Sequence, residues 1–199
     1  MTRHPARAQL AHVSILTQLL VALTAIPATA VEPKRRTGAE DLTFKLVNCM
    51  RTGGYVTKAG RCKGYGSGKH SRYVKPLKRS AKISKRVSWP WARKSVQFYG
   101  TRTCWIGHSK NGSTVDKRFA SASLKHVANG ENMGCGMWGG AQDTALRVVR
   151  MWQAEKGRSY RPHWKQLKDP DFKSAGVGVA KYGRRKVQVV VNFYGKVVD

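Results

Sequence analysis

The sequence predicts an α+β protein with a sheet held between helical layers. Three observations predict it: helix-period apolar spacing in the first part and the middle of the chain, two strand-like runs at its end, and loops of glycine and aromatics between them. "AEDLTFKLVNCMR" reads as the first helix, because Leu42, Leu46 and Cys49 fall on one face, and Gly53-Gly54 ends it. "YVTKAGRCKGYGSGKHSRY" carries no helical stripe and reads as a loop. From Pro76, "PLKRSAKISKRVSWPWARKSVQFY" spaces Leu77, Ala81 (or Ser80), Ser84, Val87 and Trp91 along one helical face. Pro76 suits its start, and Pro90 is expected to break or kink it. "AQDTALRVVRMWQAE" is a further helix, with Leu146, Val149 and Trp152 or Gln153 on one side and Asp143 near its positive N-terminal end. "AGVGVAKY" and "KVQVVVNFY" flank Gly183-Arg184-Arg185 as a hairpin. The second of these strands is apolar on both faces, which suits a covered, interior strand.

Residues 1–30 stand apart from this pattern. Arg3 and Arg7 precede the apolar run "VSILTQLLVALTAIPATA", which ends in the small-x-small triplet Ala28-Thr29-Ala30. This is the pattern of a secretory signal peptide cut after Ala30, and its apolar core is short for a membrane span. The expected organisation is therefore a signal at 1–30, a loose basic arm at 31–41 and one domain at 42–199, large enough to bury its own core. No other segment is long and apolar enough to cross a bilayer.

Charge is the most extreme bulk property. The chain holds 38 Lys and Arg against 10 Asp and Glu, a formal net charge of +28. The signal carries two of those cations and no acid, so residues 31–199 keep +26. From Leu42 to Val115 there are seventeen Lys and Arg and no acid at all. Such a surface adheres to polyanions: anionic lipid, phosphate-bearing envelope polymer or nucleic acid. Lys78, Arg79, Lys82, Lys85 and Arg86, opposite the apolar face of the second helix, are the candidate polyanion-binding stripe. The same stripe is also what a merely solvated helix face looks like.

Four cysteines in an exported chain imply two disulfides, with three connectivities open. Cys49–Cys62 and Cys104–Cys135 are favoured because each pair brackets one local unit. No CxxC is present, which disfavours a redox motif or a zinc ribbon. With acids so scarce, Glu131 in "ANGENMGCG" and Glu155 stand out. His108 lies four residues after Cys104, and Glu131 four before Cys135. If those cysteines are bonded, an imidazole and a carboxylate start from one point. His70 sits in the basic loop, and His126 has no evident partner.

These residues carry a resemblance to a family. "LVN..R" (Leu46–Arg51), Pro76-Leu77, "GHSKNGS", "GENMG", Trp152 with Glu155, and "PHWKQL..PDF...GVGVA" follow in the order and spacing of the CAP superfamily. That superfamily comprises the cysteine-rich secretory, antigen and pathogenesis-related proteins, with many bacterial members. The resemblance spans roughly Leu42–Tyr194 and implies the CAP-type α-β-α sandwich, with a central antiparallel sheet. It also implies a cleft tetrad of His108, Glu131, Glu155 and His163. His163 follows Pro162 where the family usually has Gly, and His108 follows Gly107 where Ser is common.

A tetrad of two imidazoles and two carboxylates can do three things. His108 and His163, with Glu131, could hold Zn²⁺ or another divalent cation. The four could do acid–base work as a secreted hydrolase, although no HExxH and no nucleophile motif is present. Or they could hydrogen-bond one another and fix the cleft. Trp105, Trp152 and Trp164 each adjoin a tetrad motif, as core or as an apolar floor for a ligand. The leading expectation is an extracellular binding module. It would associate with an anionic envelope polymer or lipid and take a small hydrophobic or glycan ligand in the His/Glu cleft. Hydrolysis is the alternative. Nucleic-acid binding is third, since nothing beyond charge supports it and export argues against it.

Overall fold

The computed structural model describes residues 31–64 and 74–196, with backbone alone at positions 126, 127 and 196. Residues 1–30, where a signal peptide was expected, and His70 lie outside the described residues. The described part is a three-layer α-β-α sandwich. Its elements are β1 (Lys34–Arg35), α1 (Thr37–Arg51), β2 (Tyr55–Val56), β3 (Cys62–Lys63), β4 (Lys78–Arg79), α2 (Ala81–Ile83), α3 (Trp89–Ser95) and α4 (Val115–Ser121). Then follow β5 (His126–Gly136), α5 (Ala141–Ala154), α6 (Pro162–Lys168), β6 (Ser174–Tyr182) and β7 (Lys186–Lys196).

The sheet runs β1-β6-β7-β5, with β4 also on β6. It is antiparallel throughout except for the short parallel β4–β6 pairing. The expected hairpin is β6–β7, turned at Gly183, whose positive φ of 60° favours glycine. As its two apolar faces imply, β7 is interior. Alternation along the strands feeds two cores. Ala175, Val177 and Val179 of β6 join Val187, Val189, Val191 and Phe193 of β7 against α1, α5 and α6. On the other face, Ala180, Val190 and Met133 meet Trp91, Ala92 and Val96. Gly176 and Gly178 let the backbone at Ser84 and Ser88 rest on the sheet, since a Cβ at either glycine would stand 2.4 Å from it.

Several expectations are corrected. Residues 34–41 are not a loose arm: β1 pairs with β6, and α1 begins at Thr37. Buried Glu40 anchors this start, bound by Arg35 at 2.8 Å and receiving the Val179 N–H. The second helix starts at Ala81, not Pro76, because Ser80 caps it through the Ile83 N–H. Residues 78–79 are strand instead. Pro90 does not end the rod but coincides with its departure from regular α-helix: a π-helical turn at Ser84–Ser88 precedes it, with helical dihedrals on both sides, and α3 resumes around Pro90. The glycine-rich loop contains the β2–β3 ribbon. Three elements had no sequence forecast: β5, α4 and α6.

Candidate functional site

Both disulfides have the expected pairing, Cys49–Cys62 and Cys104–Cys135, and no described cysteine is free. The second joins the 102–114 loop to β5. Beneath that loop lie Trp91, Phe98 and Trp105, packed edge to face with centroids 4.9–6.1 Å apart. Gly107 stands on the Trp105 indole, where a Cβ would approach to 2.4 Å. The loop thus delivers His108 to β5. Its Nδ1 lies 3.0 Å from Glu131 Oε1.

Glu131 is completely buried. Its other oxygen, Oε2, accepts from Arg118 at 2.6 Å and from Asn192 at 2.9 Å. Asn192 is its cross-strand partner on β7. Arg118 comes from α4, donates also to the His108 carbonyl at 3.1 Å, and sits over the Trp91 ring, 4.0 Å from its centroid. A carboxylate held by a guanidinium accepts only, so the Nδ1 of His108 carries the hydrogen. That leaves Nε2 as the ring's other nitrogen, on a side chain that is 49% exposed.

The second pair is built at the end of α5. The helix tightens into a 3-10 turn at Glu155–Gly157, and Pro162 opens α6 at its first position, bringing His163 back over the turn. His163 Nδ1 lies 2.5 Å from Glu155 Oε1, and the Trp164 N–H donates to Oε2 at 3.1 Å. Trp152 stacks on the His163 ring at 5.7 Å. Asn132 of β5 donates to the His163 carbonyl at 3.2 Å.

Neighbouring side chains on a strand point to opposite faces. Glu131 therefore reaches the α4 side and Asn132 the α6 side, and β5 is an edge strand. The two His–Glu pairs approach this edge from the two sides of the sheet. Below the second pair, Tyr55, Trp164, Gln153, Lys156 and Lys168 line a cavity of about 470 Å³. Burial, reinforced by Lys156 and Arg51, lowers the Lys168 ammonium to about 8. Burial likewise lowers Arg51 to about 10, and its guanidinium bonds the carbonyls of Lys75, Leu167, Asp169 and Phe172.

His108, His163 and Glu131 are the expected zinc set, and each imidazole meets a carboxylate through Nδ1. No three His, Cys, Asp or Glu side chains among the described residues are grouped to hold one ion. Each Nδ1 and one oxygen of each carboxylate are bound within the pair, and the second oxygens are taken by Arg118 and Asn192 and by the Trp164 N–H. The basic stripe is corrected in shape. All five cations are exposed, but Lys78 and Arg79 belong to β4, and Arg79 is ion-paired with Asp41. Lys82 donates to the Ser123 carbonyl at 3.2 Å. Of the tryptophans, Trp152 is core, Trp105 is part of the aromatic cluster, and Trp164 faces the cavity.

Sequence reasoning missed Arg118 and Asn192. The asparagine had a signal, a lone amide inside "VVVNFY". Arg118 had none, because α4 was not foreseen.

The sandwich, its two disulfides and its two His–Glu pairs define a domain of the cysteine-rich secretory type. The family model of the CAP, cysteine-rich secretory protein, family matches residues 48–194, and the chain belongs to that family. No curated protein matches it. Among solved structures, the fold is shared with an extracellular protein containing an SCP domain from Bacillus anthracis str. Ames. The TM-score is 0.52 at 17% identity, over 80% of this chain and 41% of that one. The chain thus spans less than half the length of that protein. No described helix is long and apolar enough to cross a membrane.

Proposed function

We propose that this chain is an extracellular CAP-domain binding module, held to an anionic envelope by its charge and taking a small ligand beside the His/Glu edge. The observation that carries binding over hydrolysis is the engagement of both carboxylates with the fold. Glu131 is fully buried, and all four oxygens of Glu131 and Glu155 are already hydrogen-bonded, so each carboxylate serves to orient its neighbours rather than to face a substrate. What the pairs do offer is the Nε2 of His108, which can accept a hydrogen bond from a ligand hydroxyl or amide. The cavity under Trp164 and Tyr55 combines aromatic walls with two ammonium groups, a lining suited to a glycan or to an amphipathic acid. The extracellular description of the Bacillus anthracis protein and the signal-like first thirty residues support location outside the cell.

Envelope retention is expected to fall steeply between low and high salt, because exposed charge pairs are screened. Retention that ignores salt removes the envelope reading. Hydrolysis lost alike in His108→Ala and Glu131→Gln would instead establish the enzyme.

A further inference from the structure

A second cavity, of about 440 Å³, lies on the α3–α4 side of the sheet. Four cations line it: Arg86 and Lys94 from the 81–95 rod, and Lys117 and Arg118 from α4. Among the described residues, no acid lines it. Like charges gathered around one concavity repel, and an anion between them reverses the sign of every pairwise term. Lys94, Lys117 and Arg86 are exposed around the cavity.

Arg118 is the built part of the site. Its side chain is only 9% exposed and is held by Trp91 on one side and Glu131 on the other. Its Nε has no hydrogen-bond partner among the described residues. Ser113, which also lines the cavity, lies at 3.5 Å from Arg118 Nη1 and can donate its hydroxyl to an oxyanion. A fixed guanidinium with exposed cations around it matches the geometry of a phosphate group.

We infer that this cavity binds a phosphate ester, with Arg118 as its fixed contact and Arg86, Lys94 and Lys117 closing over the oxygens. The inference rests on the envelope reading, since it names the chemistry that an anionic envelope would present there. Arg118 also bonds Glu131 and the His108 carbonyl, so occupancy is registered at the His108–Glu131 pair.

The test is titration of the purified protein with inorganic pyrophosphate, by calorimetry and by the ring resonances of His108. The double variant K94Q/K117Q is expected to weaken binding by about tenfold, two charge-assisted contacts discounted for exposure. K45Q/K58Q, an equal change of charge at exposed positions elsewhere, is expected to leave it unchanged. Equal loss in both variants, or pyrophosphate held no more tightly than sulfate, overturns the inference. Soluble glycerol phosphate and phosphatidylglycerol vesicles are then set in competition. Displacement by the first points to a free or polymeric phosphoester, and displacement by the vesicles alone points to a lipid headgroup. Displacement by neither overturns the site. Pyrophosphate binding without envelope retention removes the envelope reading and leaves this one standing.

Discussion

Replacing Arg118 with methionine isolates the electrostatics of the site. The thioether keeps the aliphatic cover over Trp91 and removes the charge together with the donors to Glu131 and the His108 carbonyl. Glu131 then stays fully buried, with Asn192 and a half-exposed His108 as its remaining partners. Breaking a buried ion pair from one side costs about 3–5 kcal/mol, because the other charge is left uncompensated. The two surviving contacts put Arg118→Met at the low end, about 3 kcal/mol. For a domain of this size that is a fall of roughly 6–12 °C in Tm. Adding Glu131→Gln removes the orphaned charge while keeping an acceptor for Asn192, so the double variant should recover more than half of the loss. Urea unfolding followed by circular dichroism, run on the wild type, both single variants and the double, closes the cycle. A single variant that loses less than about 1 kcal/mol, or a double variant no more stable than Arg118→Met, refutes the assignment of Arg118 as the counter-ion.

Three further outcomes follow from the same geometry. Removing Cys104–Cys135, which closes 31 residues, should cost about 0.8 kcal/mol more than removing Cys49–Cys62, which closes 13, on the loop-entropy scale; calorimetry of the two Cys→Ala double variants compares them. Stability should rise from pH 8 toward 10.5. The folded-state Lys168 value, about 8, lies below its ordinary 10.5, so the unfolded chain holds more protons across that window, and below pH 8 the full cost of burying the ammonium is present. The gap between urea midpoints at pH 7 and 9.5 should narrow in Lys168→Met, the remainder coming from Lys186, which burial also lowers. Gly178→Ala should destabilise by about 2–3 kcal/mol, because its Cβ meets backbone at Ser88 that cannot rotate away; a thermal melt indistinguishable from the wild type would show that the rod can lift off the sheet.

Much of this molecule was readable in the chain. The apolar period of α1 and α5, the β6–β7 hairpin and the two local disulfide brackets all act over short separations, and those are the signals that periodicity and spacing record. The resemblance marked the four tetrad residues, and each His does meet a Glu. β5 escaped notice because "ANGENMGCG" has neither β-branched residues nor apolar alternation. Its conformation comes from tertiary packing: Gly134 lies against Val148, Gly130 against Gln166 and Phe172, and Met133 accepts the Trp91 indole N–H.

The sequence by itself determined the charge, the apolar faces and the identity of the tetrad. Only the tertiary structure decided how the tetrad is held. It set Glu131 and Asn132 on opposite faces of one edge strand and filled the carboxylates with Arg118, Asn192 and a backbone N–H. It also drew Arg86 and Lys94 toward Lys117 across a cavity. Those hydrogen bonds join residues 9 to 61 positions apart. No local period encodes them, because they arise only when the two cores close on the sheet.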